Sequence, residues 1–332
     1  MNEIQKTRWG ILSTGHIAGR FAEALNQLPD AELAAVGSRD QSTADAFAAK
    51  HCVSRAHASY ESLAADPDLD VIYIGTPHTF HLENATTCLR AGKAVLCEKA
   101  LTINAAEAVE MVRIAREKQV FLMEAMIPRH VPLMKQVLAW VRTGRIGEVR
   151  MVKASRCARG DFAPQARQMN PALGGGSLLD VGVYVISFAS MILGKSPIDA
   201  LGMTHLDSLG SDEQGVALLK YDQGEIANLT FSLRTHAVSD AYILGTEGYI
   251  KIDDPFQVPT RATLFLDKEA VEVLEEPIVD GNALIYEAQE TMRCLRAGML
   301  ESPLMPLDES IEIMRTMDTL RQPWGLRYSN DG

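Results

Sequence analysis

Between residues 8 and 125 the chain alternates short apolar runs with amphipathic segments, and this rhythm restricts the fold more than any other feature. Arg8 to Leu12 reads as a strand. Ile17, Phe21, Ala24, Leu25 and Leu28 then recur at helical spacing, with Pro29 beyond the helix end. Leu33 to Gly37, Val71 to Ile74, Ala94 to Cys97 and Val120 to Met123 are further apolar runs of strand length. Helical segments separate them: the Ala-rich Thr43 to Lys50, His81 to Ala91 stopping at Gly92, and Asn104 to Lys118, where Glu107 stands at a capping-box position. Runs that short and that apolar are buried on both faces, so the βαβ alternation predicts a parallel, doubly wound sheet.

Beyond residue 125 the pattern changes. Pro132 to Thr143 reads as a helix closed by Gly144, and Val149 to Cys157 as a strand. The turn Gly174 to Gly176 opens an apolar helix reaching Leu193. Strand-like stretches follow with few helices between them: Ile198 to His205, Gly215 to Tyr221, Ile226 to Leu233, Ala241 to Leu244, Tyr249 to Ile252 and Thr263 to Leu266. Turn signals such as Asp222-Gln223-Gly224 separate them, which predicts a largely antiparallel sheet. Helices at Leu284 to Ala297 and Asp308 to Arg321 end the pattern. The expected organisation is α/β throughout: a domain over residues 1–125 on a parallel sheet, and a second over 126–332 on an open, mostly antiparallel sheet.

Composition narrows the function classes. A net charge of −11 opposes a nucleic-acid partner, although a small anion needs only local donors. No apolar run approaches the length of a membrane span, and Met1 to Arg8 lacks a signal-peptide core. Cys52, Cys88, Cys97, Cys157 and Cys294 are scattered and odd in number, which reads as reduced thiols in a cytoplasmic protein.

Three segments carry candidate chemistry. Ser13-Thr14-Gly15-His16-Ile17-Ala18 lies between the first strand and the first helix, where a dinucleotide fingerprint belongs. Ser13 replaces its first glycine, while Gly15 lets the backbone approach a pyrophosphate at the helix N-terminus. An ordinary βα turn is the plain alternative. The second strand ends in Gly37-Ser38-Arg39-Asp40, where Ser38 and Arg39 suit a 2′-phosphate and favour NADP over NAD. Asp40 either caps the next helix or reaches the ribose. The third segment is Leu96-Cys97-Glu98-Lys99, an apolar strand ending in a carboxylate and an ammonium at the edge where open α/β sheets bind ligands. A surface ion pair is the competing reading.

Two more stretches reach the same chemistry. Asp180 and Tyr184, four apart in an apolar helix, share one face; either they act together or Asp180 caps the helix and Tyr184 packs. In Gly75-Thr76-Pro77-His78-Thr79-Phe80-His81 the histidines lack the company a zinc site requires, so no metal is expected and cofactor or substrate contacts are. His81 also stands where a helix starts.

These segments in order, with Phe121 to Ala125, Gly144 to Val149, Gly174 to Tyr184 and Glu301-Ser302-Pro303, resemble the Gfo/Idh/MocA family of NAD(P)-dependent oxidoreductases. The nearest likeness is to its dimeric dihydrodiol dehydrogenase and D-xylose dehydrogenase branch. The resemblance implies a Rossmann domain, and a second domain whose open sheet face joins subunits in a homodimer. It implies hydride transfer between the nicotinamide and a sugar or cyclic vicinal diol, with Lys99, Asp180 and Tyr184 beside the reacting carbon. The cofactor contacts it implies are Ser13, Gly15, His16, Ile17, Ser38, Arg39, Gly75, Thr76, His78, His81, Glu98, Lys99 and Arg129. Tyrosine at 184 places the chain with the dihydrodiol branch. A phenol titrates ordinarily near 10, so proton transfer at neutral pH needs a depression of ~2–3 units, or ~3–4 kcal/mol. The Lys99 charge pushes that way, and Asp180 would orient it. A nucleotide-sensing regulator and a hydrolase using NAD as a transient oxidant are the alternatives within this fold.

The chain departs from the family at two places. Ala100 stands where relatives carry proline after a cis bond; before alanine a cis bond costs ~2.5–4 kcal/mol, so a trans bond is expected. Ile127-Pro128-Arg129-His130 keeps only the arginine of the relatives' aromatic stretch, and the loop with Arg159, Asp161, Arg167 and Gln168 is a candidate pocket wall.

Overall fold

The computed structural model describes residues 6–160, 162–163 and 166–331, and Asp161 lies outside them. The described chain divides into two compact units.

The first unit is built on a six-stranded parallel sheet. Its elements are β1 (Thr7–Leu12), α1 (His16–Asn26), β2 (Ala31–Gly37), α2 (Gln41–His51), β3 (Arg55–His57), α3 (Tyr60–Ala64), β4 (Val71–Ile74), α4 (His81–Arg90), β5 (Ala94–Glu98), α5 (Ala105–Lys118) and β6 (Leu122–Ala125). The strand order β3-β2-β1-β4-β5-β6 is the doubly wound dinucleotide order, whose direction reverses between β1 and β4. Ile11, Leu12, Val71 to Ile74 and Val95 to Cys97 are fully buried, as strands covered by helices on both faces require. The carboxyl ends of β1, β2, β4 and β5 therefore bring the turns after Leu12, Gly37, Ile74 and Glu98 to one edge.

The second unit contains α6 (Pro132–Arg142), β7 (Val149–Cys157), α7 (Val183–Leu193) and strands β8 (Asp199–Leu206), β9 (Asp212–Lys220), β10 (Ile226–Ser232), β11 (Ala241–Gly245), β12 (Gly248–Ile252), β13 (Arg261–Leu266) and β14 (Glu269–Glu275). The eight strands form one sheet in the order β14-β13-β12-β11-β7-β10-β9-β8, antiparallel except for β7 beside β10. One face packs on α7 through Val152, Ala154, Ala227 and Leu229. On the other, Leu201 pairs with Leu218 and Met203 with Val216, all exposed. The edge strand β14 escapes the sequence reading because acids at every third position, Glu269, Glu272 and Glu275, break the two-residue period of a strand; such charges also blunt an edge against further pairing.

Helices α8 (Leu284–Arg296) and α9 (Leu307–Arg321) complete the fold. The segment Asn282–Ser310 belongs to the first unit, so residues after 125 do not all form one domain. Helix α8 packs on α1, Asn282 Nδ2 donates to the Arg20 carbonyl at 3.0 Å, and the Leu122 N–H beside the sheet edge donates to Leu300 O at 3.1 Å.

Candidate active site

The phosphate turn is shaped by its own serine. Ser13 has φ 130°, a conformation that favours glycine, and its Oγ accepts from Gly15 N at 3.1 Å. Gly15 precedes α1 in an extended conformation, and no side chain caps that helix. Its first N–H groups therefore fit a pyrophosphate. Gly15 and His16 are exposed and Ile17 is half-buried. A Cβ on Gly75 would lie 3.1 Å from Tyr73 Cε1 and 3.3 Å from Ile17 Cγ2, so glycine is what allows the end of β4 to pass under the turn. A groove of about 630 Å³ opens here, lined by Thr14, His16, Arg20, Thr43 and Lys50 among others.

At the end of β2, Asp40 is the cap of α2. It accepts from Thr43 N at 2.9 Å, Thr43 Oγ1 at 2.6 Å and Ser42 Oγ at 2.7 Å. The Thr43 and Ser42 hydroxyls hold its carboxyl down at about 2. Of the two readings of Asp40, the geometry supports the cap. Ser38 is buried and Arg39 exposed beside it.

The turn after β5 is held from below. Tyr73 Oη donates to Glu98 Oε1 at 2.5 Å, and Glu98 Oε2 accepts from Lys99 N at 3.2 Å. His78 donates through Nε2 to Lys99 O at 3.1 Å, and Leu101 N donates to Glu124 Oε1 at 3.0 Å. The Lys99–Ala100 bond is cis, which corrects the expectation of a trans turn. In this geometry the carbonyls of Lys99, Ala100 and Leu101 all face histidine nitrogens.

His81 opens α4, as its place in the sequence suggested. Its ring is fully buried, with Nδ1 at 3.0 Å from Ala100 O and Nε2 at 2.9 Å from Thr76 O. Carbonyls only accept, so a neutral ring donates to one of these loops and a protonated ring to both. Thr76 Oγ1 accepts from Asn84 Nδ2 at 3.1 Å. Among the described residues no group of three or more His, Cys, Asp or Glu side chains is placed to hold a metal.

Helix α8 adds a carboxyl that local sequence did not signal. Glu287 is fully buried, and neither of its carboxyl oxygens has a hydrogen-bond partner among the described residues. Burial foremost, then the Glu98 charge, pushes it well above the usual range, with Lys99 opposing. Burial thus favours its protonated form.

In the second unit, Asp180 sits in a π-turn, Leu178–Gly182, that runs into α7. This corrects the expectation of one regular helix after Gly176: the wider turn changes the angular offset between Asp180 and Tyr184. Neither is a simple cap. Asp180 accepts from Arg167 Nη2 at 3.1 Å, and Tyr184 is half-buried. The capping acceptor comes instead from β9. Asp212, fully buried, accepts from Ser177 Oγ at 2.7 Å and Leu178 N at 2.6 Å. Burial pushes its carboxyl up to about 7, while these two hydrogen bonds pull the other way. Arg129, expected at the cofactor, is buried and donates to Ser187 on α7, from Nε to Oγ at 3.2 Å and from Nη2 to O at 3.0 Å. Arg159 faces His236 Nε2 at 3.4 Å, and Gln168 O accepts from Gly176 N at 2.8 Å.

Comparison with known proteins agrees with this architecture. The family described as "Oxidoreductase family, NAD-binding Rossmann fold" matches residues 7–126, and the "GFO/IDH/MocA C-terminal domain" matches residues 134–251. The chain is 38% identical over 333 residues to a trans-1,2-dihydrobenzene-1,2-diol dehydrogenase of Mus musculus, covering 98% of each chain. It is 36% identical over 335 residues to the protein of that name from Homo sapiens, again covering 98% of each. Among solved structures, a 3-ketoreductase of Actinomadura kijaniata in complex with TDP-benzene and NADP superposes with a TM-score of 0.83 at 26% identity, over 96% of this chain and 97% of that one. Two family domains in order, and near-complete identity coverage, lead to one conclusion: this chain belongs to the Gfo/Idh/MocA family of NAD(P)-dependent oxidoreductases.

Proposed function

We propose that this protein is an NADP-dependent dehydrogenase that oxidises a cyclic vicinal diol, or a sugar presenting an equivalent pair of hydroxyls. The observation that carries this reading is the 38% identity to a dihydrodiol dehydrogenase over 98% of both chains. Tyr184, a phenol where a proton acceptor is needed, supports it.

NADP is favoured by Arg39, an exposed guanidinium at the end of β2, with the Ser38 hydroxyl next to it and Asp40 serving as the cap of α2. The open N-terminus of α1 suits the pyrophosphate. Bound NADP supplies the hydride acceptor. In our reading Tyr184 takes the hydroxyl proton, Lys99 contributes the positive charge that makes its phenol acidic enough, and Asp180 is the orienting carboxylate. Glu98, His78 and Tyr73 hold the backbone that carries Lys99.

The exposed row Leu201, Met203, Val216 and Leu218 supports a homodimer through the open sheet face, since a monomer gains nothing by leaving such a patch in water. Five unpaired cysteines, four of them buried, support a reducing, cytoplasmic setting.

The test is NADPH formation over a panel of dihydrodiols, inositols and aldoses, with wild type, Lys99→Met and Tyr184→Phe run together. Turnover of at least one vicinal diol, lost in both variants, is expected. Wild-type rates in either variant would overturn the assigned roles, and no turnover of any diol or sugar would overturn the substrate class.

A further inference from the structure

We propose that Asp212 is a positioning residue for the reaction: it fixes the π-turn that presents Asp180, and through it the first turn of α7 that presents Tyr184. This rests on the catalytic reading of those two residues given above.

The geometry is specific. The π-turn begins at Leu178, two residues after the glycine cluster, and has no cap from its own sequence neighbourhood. One carboxylate oxygen of Asp212 takes both available donors at that end, Ser177 Oγ at 2.7 Å and Leu178 N at 2.6 Å. Ser177 and Asp212 are both fully buried, so water does not replace the carboxylate. The approach depends on Gly176. A Cβ built there would lie 2.0 Å from Asp212 Oδ1, and the residue has φ +121°. The last glycine of the Gly174-Gly175-Gly176 cluster thus serves the cap as well as the turn. Asp212 itself stands at the first position of β9, whose pairing with β10 and β8 makes it a rigid mount. The neighbouring Ser211 is anchored too, its Oγ donating to Met169 O at 2.8 Å. Asp180 lies two residues beyond Leu178, so the same strand that holds the turn sets where its carboxylate points toward Arg167. π-turns are rare and occur frequently at functional sites. A carboxylate brought from a distant strand to hold one is an unusual expense for a turn with only a structural duty.

The experiment measures kcat, KM for diol, NADP affinity by fluorescence and thermal melting for wild type, Asp212→Ala, Asp212→Asn, Ser177→Ala and Tyr184→Phe. Loss of a charged acceptor predicts that Asp212→Ala lowers kcat by about 10- to 100-fold, with NADP affinity within about twofold of wild type. Asp212→Asn keeps an oxygen acceptor for Ser177 and Leu178 and restores most of that loss. Ser177→Ala, which removes one donor and leaves the rest, gives a smaller fall in kcat with the same unchanged NADP affinity. A folded Asp212→Ala at wild-type kcat overturns the proposal. If Asp212→Ala does not fold, wild-type kcat in Ser177→Ala overturns it, and a fall in kcat at constant NADP affinity supports it. Tyr184→Phe separates the two levels: inactive Tyr184→Phe beside fully active, folded Asp212→Ala sinks only the positioning role, whereas active Tyr184→Phe sinks the catalytic reading beneath it.

Discussion

Glu287 offers a sharp test because its carboxyl has nothing to gain from being there. It is fully buried on α8, without a hydrogen-bond partner among the described residues for either oxygen. An unsatisfied buried polar group costs about 1–3 kcal/mol by mutational measures. Replacing it with an apolar side chain of similar size, Glu287→Leu, removes that cost and stabilises the fold by a similar amount. The pH dependence adds a second signature. The folded carboxyl titrates well above its unfolded counterpart because of burial and the Glu98 charge. The native state therefore holds a proton that the unfolded state releases. Its contribution is intact below the unfolded value of about 4.3 and is lost as pH rises toward the folded one. The stability difference between Glu287→Leu and wild type should widen with pH, by at most ~1.4 kcal/mol per pH unit within that window. Urea unfolding of both proteins from pH 4 to 9 measures it. A difference that stays flat with pH, or a variant less stable than wild type throughout, would refute the reasoning and mean that the carboxyl is satisfied or ionised in solution.

Three further outcomes follow from other parts of the molecule. Arg39→Ala should raise KM for NADP by about 10- to 100-fold, the value of a charge-assisted contact, and leave KM for NAD nearly unchanged; steady-state kinetics with both cofactors decide it, and equal effects on the two would remove Arg39 from the 2′-phosphate. Met203→Glu places a charge on the exposed sheet face, where Met203 is 77% and its neighbour Leu201 65% exposed. Sedimentation velocity should show dimer in wild type and monomer in the variant. Gly176→Ala meets both a left-handed φ and the Asp212 carboxylate; backbone strain and a broken charged cap together cost roughly 3–5 kcal/mol, readable by urea unfolding.

The fold was legible wherever burial is periodic. The parallel strands of the first unit are runs of Val, Ile, Leu, Tyr and Cys that are buried on both faces, and their alternation with helices marks a parallel, doubly wound sheet. Legibility failed where an element is short or its periodicity is masked. Arg55–His57 pairs with β2 over three residues, too few for a pattern to emerge. Glu269–Glu275 carries an acid at every third position on an edge, and the charge that protects the edge hides the strand. The return of Asn282–Ser310 to the first unit was hidden for another reason: helical periodicity says that α8 has an apolar face, not which core it covers.

The site divides along the same physical line. Candidate residues placed by their own turn, such as Gly15 before α1 and Lys99 after β5, stand out because the turn and the strand end are local events. Residues that act through distant backbone do not. His81 appears available from its motif, yet its ring nitrogens face the carbonyls of Thr76 and Ala100. Asp40 is read correctly as a cap only when the Ser42 and Thr43 hydroxyls are seen turned toward it. Asp212 lies 34 residues from the amide that it accepts. Glu287 reaches the neighbourhood of Glu98 from a helix that the chain adds after its second sheet is finished. Both carboxyls are buried, and both are pushed upward by that burial. Buried carboxyls with perturbed titration cluster at functional sites. One such acid adjoins the Glu98-Lys99 turn and the other caps the turn bearing Asp180. Sequence motifs mark the candidate groups; of the two buried acids, Asp212 shows which backbone is held still, through Ser177 and Leu178.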